Sequence, residues 1–490
     1  MTSASNNPAT ALPPGAGAPV SLKTLTIRGV AWTLAGEGGG QILRLVSNLV
    51  LSRLLVPEAF GMMVVVTVVQ QGLFMFSDVG IQPAVVQHPR GDDMVFLNTA
   101  WTTQSIRGFF LWMITCALSW PVAQYSSEPM LMYLLPVTGL NSIFDGFVST
   151  KVVTSDRHLS LGRLTILNLG TATFGLLVRI IWAWYSPTVW ALVAGGMAST
   201  IPRTILSHWL LPGPLNRFQL DREAFKDLVR FGRWVFLSTL LTFLALQMDK
   251  IVFVKMIPLA LLGVYNHGSS FCRVPVDAIG RIGYSVGFPA LSRLKDREGN
   301  MESAFERVRA PLLVAGGAAL AFLTLTAPTL VQILYPARYQ DAGWIMQLVA
   351  VALWFQVLQL TNQMVLLAFG MPKILALGNL IKIAAMAVAL PIGFKLWDFP
   401  GALIAMAVVE IPKYVFEAFY VRLRGLKGWG TELGLTAAVV GCAALAFVLH
   451  GWTPAGGNAW VKVALAAVVW LLAWLPLGLW ARRLSGVSFA

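Results

Sequence analysis

The stretch LSRLLVPEAFGMM at residues 51–63 has a counterpart in VFVKMIPLALLGVY at residues 252–265. Each contains the end of a hydrophobic helix with one cation. A Pro, an Ala and a Gly follow, and a second hydrophobic run begins with them. A second pair of segments, VGIQPAVVQ at 79–87 and VGFPALSRL at 286–294, follows in the same order. The matched positions are Arg53, Pro57, Gly61 and Pro83-Ala84 in the first copy and Lys255, Pro258, Gly263 and Pro289-Ala290 in the second. Two copies of one helical module in an apolar chain predict two related lobes with a substrate site where they meet.

The composition indicates an integral membrane protein. Of the 490 residues 57% are hydrophobic and only 12% are charged, which is not typical of a soluble domain. Runs of about 20 mostly apolar residues, each long enough to cross ~30 Å of hydrocarbon as a helix, recur along the chain. We expect about fourteen spans, at 27–51, 60–80, 96–119, 129–150, 161–184, 188–211, 232–254, 261–290, 309–335, 343–369, 373–394, 400–421, 432–450 and 460–481.

The net charge of +14 is best explained by membrane topology. With the N-terminus inside, alternate loops hold nearly all the loop Lys and Arg. The cations assigned to the opposite side are Arg53, Lys255, Arg338 and Lys395. This asymmetry follows the positive-inside rule, so both termini are predicted to be cytoplasmic. A nucleic-acid partner is not expected.

No catalytic or cofactor-binding pattern is found in the sequence. There is no GxxxxGK[ST] phosphate loop, no GxSxG and no metal-spaced His cluster, so we expect no catalytic residue, cofactor or metal. Cys116, Cys272 and Cys442 are too few and too scattered for a disulfide framework. Residues 1–22 are mainly Ala, Pro, Ser and Asn and are predicted to be a disordered cytoplasmic tail.

Polar side chains follow one face of span 1. The stripe comprises Thr33, Glu37, Gln41, Arg44 and Asn48, which are spaced four, four, three and four residues apart. Ionisable groups at this depth cost several kcal/mol if they face lipid, so the stripe is expected to face protein or a water-filled cavity. Gly38, Gly39 and Gly40 beside it would allow a bend.

Span 8 repeats this pattern in the other half. Its stripe comprises Asn266, Ser270, Arg273, Asp277, Arg281 and Tyr284. Arg273 and Arg281 flank Asp277 at i±4, which leaves one positive charge over. Because Arg presents a planar fork of donors that suits phosphate oxygens, Arg44, Arg273 and Arg281 are predicted to bind phosphate. The alternative is that they only pair with acids such as Glu37 and Asp277 and hold helices together.

The remaining spans carry weaker signals. Gln356, Gln359 and Gln363 form a neutral face that suits sugar hydroxyls or, equally, hydrogen bonds between helices. A buried carboxylate can carry a coupled proton or Na⁺, although an isolated one is more often a salt-bridge partner. The carboxylates considered for coupling are Glu37, Asp145, Asp249 and Asp277. Glu410, Lys413 and Glu417 are interpreted as a self-satisfied structural group.

Two segments resemble a known family. RLLVPEAFGMMVVVTVV with SDVGIQPAVVQ, and QMDKIVFVKMIPLALLGVYNHGSSFCRVP with VGFPALSRL, are similar to spans 1–2 and 7–8 of the polysaccharide translocases, the Wzx-type flippases of the MOP exporter superfamily. The resemblance implies an all-α membrane protein of two pseudo-symmetric six-helix lobes plus two C-terminal helices. It divides the chain into an N-lobe at 23–213 (spans 1–6), a C-lobe at 214–425 (spans 7–12), and accessory spans 13–14 with a cytoplasmic C-terminus at 426–490.

The resemblance also implies a function. Members of that family move an undecaprenyl-diphosphate-linked oligosaccharide across the inner membrane, from the cytoplasmic to the periplasmic leaflet, for exopolysaccharide, capsule or O-antigen assembly. A gradient would drive the movement, and a polymerase and a chain-length regulator would be partners besides membrane lipids. The family's cavity cations would correspond to Arg44, Arg273 and Arg281, with Gln41, Asn48, Asn266, Gln356 and Gln359 as further substrate-binding candidates. Arg53 would guard the outer mouth.

Two other classes remain open. A MATE-like drug or cation exporter of the same superfamily would need a net acidic, aromatic-lined cavity, whereas spans 1 and 8 are net basic or neutral. A membrane glycosyltransferase or polysaccharide polymerase would need a large periplasmic loop with acidic residues, and the outer loops here are short. Both are less consistent with the sequence than a flippase.

The charge bias makes a testable prediction about topology. Single cysteines at Asn216 and Gly456, in a background without other cysteines, should differ in labelling by an impermeant maleimide on intact cells. Gly456 should label and Asn216 should not, because the loops near 217–230 and 293–309 are predicted to be cytoplasmic and those near 338 and 455 periplasmic. The reverse labelling would contradict both the topology and the two-lobe interpretation.

Overall fold

The fold is nearly all helical. The computed structural model describes residues 22–77, 80–158, 161–294, 301–426, 428–452 and 459–485, and within those ranges it contains no β-strand. Most of the predicted N-terminal tail, Gly456 and the last five residues lie outside the described ranges. The absence of strands follows from the long apolar runs, because a helix satisfies its own backbone hydrogen bonds without water.

The described residues of the N-terminal half, up to the connection at residues 210–221, form eight helices. They are α1 (Leu22–Leu54), α2 (Pro57–Phe76), α3 (Ile81–Gln87), α4 (Met94–Ser126), α5 (Leu131–Gly146), α6 (Lys151–Arg157), α7 (Leu161–Tyr185) and α8 (Trp190–Trp209). The α5–α6 pair covers the predicted span at 129–150 and is bent by 59° at the break between its helices.

The C-terminal half repeats this order and adds two helices. It contains α9 (Arg222–Met256), α10 (Leu259–Ile282), a π-helical turn (Gly283–Gly287), α11 (Phe288–Leu294), α12 (Met301–Leu334), a 3₁₀ turn (Ala337–Tyr339), α13 (Ala342–Ala368), α14 (Pro372–Leu423), α15 (Trp429–Trp452) and α16 (Ala459–Ser485). The two sequence repeats occupy matching places: Pro57 begins α2 and Pro258 is the N-cap of α10. The Pro-Ala pairs lie in the short helices α3 and α11.

The longest helix, α14, is two arms joined at a sharp break. Trp397 and Asp398 have non-helical backbone angles, and Asp398 has a φ of 51°. Gly393 and Gly401 face each other across the break, where a Cβ on either residue would overlap the other's carbonyl group. The break lies between the predicted spans 373–394 and 400–421.

Seven of the described helical segments are long and apolar enough to cross a membrane, or eight if the bent pair α5–α6 counts as one span. α1 and α10 fall outside that group, and these are the helices that carry the predicted polar stripes. The protein is therefore an integral membrane protein, and the less apolar helices are the ones on which interior chemistry is expected.

The two halves touch through glycine where α2 crosses α10. A Cβ at Gly61 would overlap the carbonyl oxygen of Leu259, and a Cβ at Gly263 would overlap that of Pro57. In lipid, helix association depends on close packing, so small residues at a crossing let the backbones approach. The repeated Pro and Gly of the opening motifs thus form the contact between the halves.

The connection between the halves is held against α4. Side chains of Asn98, Thr99 and Thr102, all buried, accept hydrogen bonds from the backbone N–H groups of Arg217, Asp221 and Gln219, respectively. A separate residue of this connection, Asn216, is hydrogen-bonded through its side chain to Ser149 and Thr150. For the topology test, a cysteine at the neighbouring Leu215, which is 62% exposed, is therefore a better site on the predicted cytoplasmic side than a cysteine at Asn216.

A buried ionic cluster attaches α15 to the C-terminal half. Glu432, at the start of α15, forms ion pairs with Arg309 of α12 and, at 2.9 Å, with Arg422 of α14, and it accepts a hydrogen bond from the Tyr414 hydroxyl. The Arg309 guanidinium also donates to Thr361 at 2.9 Å. One carboxylate therefore holds helices α12, α14 and α15 together.

Glu432→Gln should destabilise the protein. It removes the charge that compensates two arginines, and breaking a buried ionic network of this kind costs about 3 kcal/mol. Thermal unfolding of the purified protein in detergent, followed by helical circular dichroism, measures the loss. The matched control is Glu223→Gln at an exposed position of α9, which should melt like the wild type. Equal melting of the two variants would contradict a stabilising role for the cluster.

Candidate functional site

A large cavity lies in the C-terminal half, between α9, α10, α13 and α14. It has a volume of about 790 Å³. Five of the predicted substrate-binding and coupling residues line it, namely Arg273, Asp277, Arg281, Gln356 and Gln359. Gln363, Tyr284, Asn379, Lys382 and Lys413 line it as well. Four cations and one carboxylate therefore face this cavity.

Behind the cavity wall lie two buried carboxylates. Glu410 forms an ion pair with Lys382 and accepts hydrogen bonds from Gln356 at 2.8 Å and Gln359 at 2.9 Å. The two glutamines therefore donate to a neighbouring helix, which favours the helix–helix alternative for their amide nitrogens. Gln359 is only 2% exposed, so little of its polar surface faces the cavity.

The second carboxylate, Glu417, is fully buried and less closely paired. Its nearest ammonium is that of Lys413 at 3.8 Å, and Gln363 donates to it at 3.1 Å. The Lys413 ammonium instead donates to Asn379 at 2.8 Å. Lys413 is thus a cavity-lining cation as well as a member of the group that the sequence assigned to structure alone.

The two stripe arginines of α10 differ in their partners. Arg281 forms an ion pair with Glu37 of α1, across the boundary between the halves, and both side chains are 51% exposed. Neither Arg273 nor Asp277 forms an ion pair within the described part of the chain. The i±4 spacing predicts that Asp277 pairs with Arg273 and Arg281. In the structure, Arg281 pairs instead with Glu37 of α1.

Within the described residues, the Arg44 side chain of α1 bonds only to its own helix. Its guanidinium Nε donates to Gln41 at 3.0 Å, and the side chain is exposed. Asn48 and Asn266, predicted deeper on the two stripes, are half-buried and do not line the 790 Å³ cavity. The structure therefore brings the α10, α13 and α14 residues together but leaves Arg44, Gln41 and Asn48 on a separate helix face.

The N-terminal half has a second polar cavity of about 310 Å³ between α2, α3, α4, α5 and α8. Asp145, a predicted coupling carboxylate, lies in its wall 3.5 Å from the Arg203 guanidinium. Arg203 also donates to Asn168 of α7 at 3.2 Å. Gln104 and Arg107 of α4 line the same cavity.

The other predicted coupling carboxylate, Asp249, is buried and has close partners. It lies 3.7 Å from the Lys250 ammonium and accepts the hydroxyl hydrogen bond of Tyr265. Glu37, Asp145 and Asp249 thus each have a cation partner, whereas Asp277 faces the larger cavity without one among the described residues.

Hydrogen bonds join the two halves near the α2–α10 crossing. The Arg338 guanidinium donates to the carbonyls of Ser52 and Arg53 at the end of α1, and the Tyr339 hydroxyl donates to Leu55. On the other flank, the Lys255 ammonium donates to the carbonyl of Tyr125 at 3.0 Å. The backbone carbonyl of Arg53 is thus a hydrogen-bond acceptor at this boundary, and the side chains of Arg338 and Lys255 are hydrogen-bond donors.

The polar stripes of the sequence do not include several interior cations. Lys382, Arg107 and Arg203, and also Arg179 of α7, are each a lone cation inside an apolar run. Such a position is by itself an indication of interior chemistry, because an isolated cation in hydrocarbon is costly. A search for lone cations within spans would have found all four.

Comparison with known proteins gives a consistent family match. The sequence profile of the family described as "Polysaccharide biosynthesis protein" matches residues 50–343, more than half of the chain. The chain is 24% identical over 287 residues to the succinoglycan biosynthesis transport protein ExoT of Rhizobium meliloti (strain 1021), covering 57% of this chain and 56% of that protein. It is 20% identical over 335 residues to the lipopolysaccharide biosynthesis protein WzxC of Escherichia coli (strain K12), covering 68% of each.

Solved structures share the fold. The lipid II flippase MurJ in an inward closed conformation superposes with a TM-score of 0.69 at 13% identity, covering 93% of this chain and 99% of that one. An inward-facing multidrug resistance MATE family transporter of the MOP superfamily gives a TM-score of 0.61 at 13% identity, over 79% of this chain and 94% of that one. At these identities the likeness establishes a MurJ- and MATE-like fold.

The ion pair between the halves predicts cross-linking. Cysteines at Glu37 and Arg281, in a background lacking Cys116, Cys272 and Cys442, should be joined in most molecules by a short bifunctional thiol reagent. The control pairs Glu37→Cys with Ile282→Cys, a neighbouring exposed position that points about 100° away around the same helix. Gel mobility of the purified protein reports the link. Equal cross-linking of both pairs would show that α1 does not lie against this face of α10.

Proposed function

This chain belongs to the polysaccharide biosynthesis protein family, and from that we propose that it flips an undecaprenyl-diphosphate-linked oligosaccharide repeat unit across a membrane, from the cytoplasmic to the periplasmic leaflet. The transported unit would serve exopolysaccharide, capsule or O-antigen assembly. The relatives and structural neighbours are transporters, and this protein is a transporter rather than an enzyme.

The observation that carries the proposal is an arginine without an ion pair in the wall of the 790 Å³ cavity. Four cations line this cavity, and three of them lie beside carboxylates: Lys382 beside Glu410, Lys413 beside Glu417 and Arg281 beside Glu37. Arg273 forms no ion pair among the described residues. A diphosphate and a sugar chain cannot cross hydrocarbon unaided, and an amide-lined cavity with an available guanidinium replaces the water that they lose. That guanidinium favours an anionic substrate over a MATE-like drug cation.

The ion pairs of the cavity cations indicate which of these cations is most available to bind the diphosphate. Arg273 has no ion pair within the described chain and faces the cavity, so it is our first choice for the diphosphate. Arg281 would exchange Glu37 for a phosphate oxygen when α1 moves. Arg44, Gln41, Asn48 and Asn266 remain proposed substrate contacts on the facing surfaces, and Gln356 and Gln359 are proposed to support the wall through Glu410.

We also propose the finer architecture and the coupling. Helical segments coincide with each of the fourteen predicted spans once α14 is divided at its break, which supports two six-helix lobes at 23–213 and 214–425, and two accessory helices within 426–490. Both termini would be cytoplasmic, and the membrane would be the inner membrane.

If a gradient drives transport, Asp277 is the best-placed of the four coupling candidates, because it faces the cavity without an ion pair among the described residues. A polymerase and a chain-length regulator would receive the unit.

Deleting the gene should abolish surface polymer and leave lipid-linked oligosaccharide in membrane extracts. Re-expression of the wild type should restore export, whereas Arg273→Gln should restore roughly a tenth or less of it, since a hydrogen-bonded charge contact contributes about 1.5–3 kcal/mol. The measurements are surface polymer and extracted lipid-linked intermediate, at matched protein levels in the membrane.

The matched control is Arg222→Gln, which removes an exposed cation at the start of α9 outside the cavity and should export normally. Normal polymer in a clean deletion strain without a second homologue would refute the flippase proposal. Full export by Arg273→Gln would instead remove Arg273 from the diphosphate site and leave the function standing.

A further inference from the structure

A carboxylate without a hydrogen bond faces the 310 Å³ cavity of the N-terminal half. Asp145, near the end of α5, has a side chain that is 45% exposed, and its carboxylate accepts no hydrogen bond among the described residues. The Arg203 guanidinium lies 3.5 Å away, beyond the range of about 2.7–3.2 Å for a hydrogen bond from nitrogen to oxygen. It donates instead to Asn168, at 3.2 Å. A carboxylate and a guanidinium thus lie side by side in the cavity wall without a hydrogen bond between them.

Other polar groups of the wall add hydrogen-bonding capacity. Gln104 of α4 donates through its amide nitrogen to the backbone carbonyl of Asp145 at 2.8 Å, and no donor among the described residues reaches its amide oxygen. The Ser142 hydroxyl, three residues before Asp145 on α5, lines the cavity without a hydrogen bond in the described part of the chain. Arg107, the second cation of the wall, donates to two oxygen atoms at the end of α2, at 2.9 and 3.1 Å. The wall therefore offers both donors and acceptors to one space.

This cavity has the same place in the N-terminal half that the 790 Å³ cavity has in the C-terminal half. Helices α2, α5 and α8 contribute to the first. Their counterparts in the repeat, α10, α13 and the second arm of α14, contribute to the second. Both cavities lie toward the helix ends that the charge bias predicts to be cytoplasmic. A substrate loaded from that side would meet one polar cavity in each half.

The two linings suit different chemical groups. Arg273 in the C-terminal cavity has no ion pair among the described residues, which suits a phosphate. In the N-terminal cavity the Asp145 carboxylate would repel a phosphate. A hydroxyl is donor and acceptor at once, so it can donate to Asp145 and accept from Arg203. The volume of about 310 Å³ is at the lower end of the range of ~300–1,000 Å³ for small-molecule sites, which suits one sugar ring rather than a whole oligosaccharide.

Resting on the proposed function, we propose that this cavity binds one neutral sugar ring of the transported oligosaccharide while the diphosphate occupies the C-terminal cavity. Asp145 accepts hydrogen bonds from the sugar hydroxyls, and Arg203 donates to them. Gln104 and Ser142 supply further contacts. Asp145 is then a specificity residue and not a carrier of a coupled ion. Because a carboxylate repels an acidic sugar, the ring in this cavity is uncharged.

The test uses the full-length purified protein in detergent and two lipid probes. One is undecaprenyl diphosphate without sugar, and the other is the lipid-linked oligosaccharide extracted from the deletion strain. Competition against radiolabelled undecaprenyl diphosphate gives both dissociation constants. The wild type should bind the oligosaccharide lipid about tenfold or more tightly than the bare lipid, because one hydrogen bond to a charged group already contributes about that factor. Asp145→Ala should lose most of this preference and keep its affinity for undecaprenyl diphosphate.

Three further variants separate sugar binding from folding and from charge. Ser142→Ala breaks no ion pair and should weaken binding of the oligosaccharide lipid about threefold, as expected for one neutral hydrogen bond. Asp145→Asn keeps an acceptor oxygen and should retain part of the preference. Glu223→Gln changes an exposed carboxylate of α9 outside both cavities and should bind both probes like the wild type. Size-exclusion profiles report whether each variant is folded.

An unchanged preference in Asp145→Ala would overturn the proposal, and loss of export by the same variant would then assign Asp145 to ion coupling. An equal loss of affinity for both probes would also overturn it, because Asp145 would belong to the diphosphate site. If Asp145→Ala does not fold, wild-type binding by Ser142→Ala is the result that refutes sugar binding here. Failure of the proposed function has a different signature: the deletion strain accumulates no lipid-linked oligosaccharide, and the wild type does not bind undecaprenyl diphosphate.

Discussion

A charge placed in the hydrocarbon layer must meet a counter-charge, water or a bound ion, and this requirement organises the interior of the protein. Arg309, Lys382 and Arg203 meet carboxylates and hold helices together. Arg273 and Arg179 form no ion pair among the described residues. Among these five cations, the ion pairs that hold helices together therefore leave two over.

Several features follow from the sequence because they depend on spacing along one helix. The break in α14 is signalled by the polar, Pro-containing junction between two apolar runs, and the cavity-lining face of α10 is signalled by the three- and four-residue period of its polar side chains. The Pro and Gly repeats likewise predict that the halves are built on one plan. The resemblance to a known family, carried by the same segments, agrees with the family match.

Other features depend on which helix faces which, and one-dimensional spacing does not contain that information. Asp277 and Arg281 have ideal i, i+4 spacing, yet Arg281 pairs with Glu37, more than two hundred residues away. Gln359 has the right period for a cavity face but donates to Glu410. Arg179 has no polar neighbour at helical spacing, and Lys382 has only Asn379, three residues before it. A search for long stripes therefore passes over both cations, and their surroundings become visible only in three dimensions.

The contact between α2 and α10 is reciprocal: the glycine of each helix lies on the first turn of the other. That is the pattern of an isologous interface, in which one surface patch packs against a second copy of itself. Two half-length chains related by a twofold axis would make the same contact, so the crossing has the geometry of a homodimer interface within a single chain. A single chain is not bound by that symmetry away from the crossing. Buried lysine–glutamate pairs lie in the C-terminal half, whereas the described interior carboxylate of the N-terminal half, Asp145, pairs with an arginine.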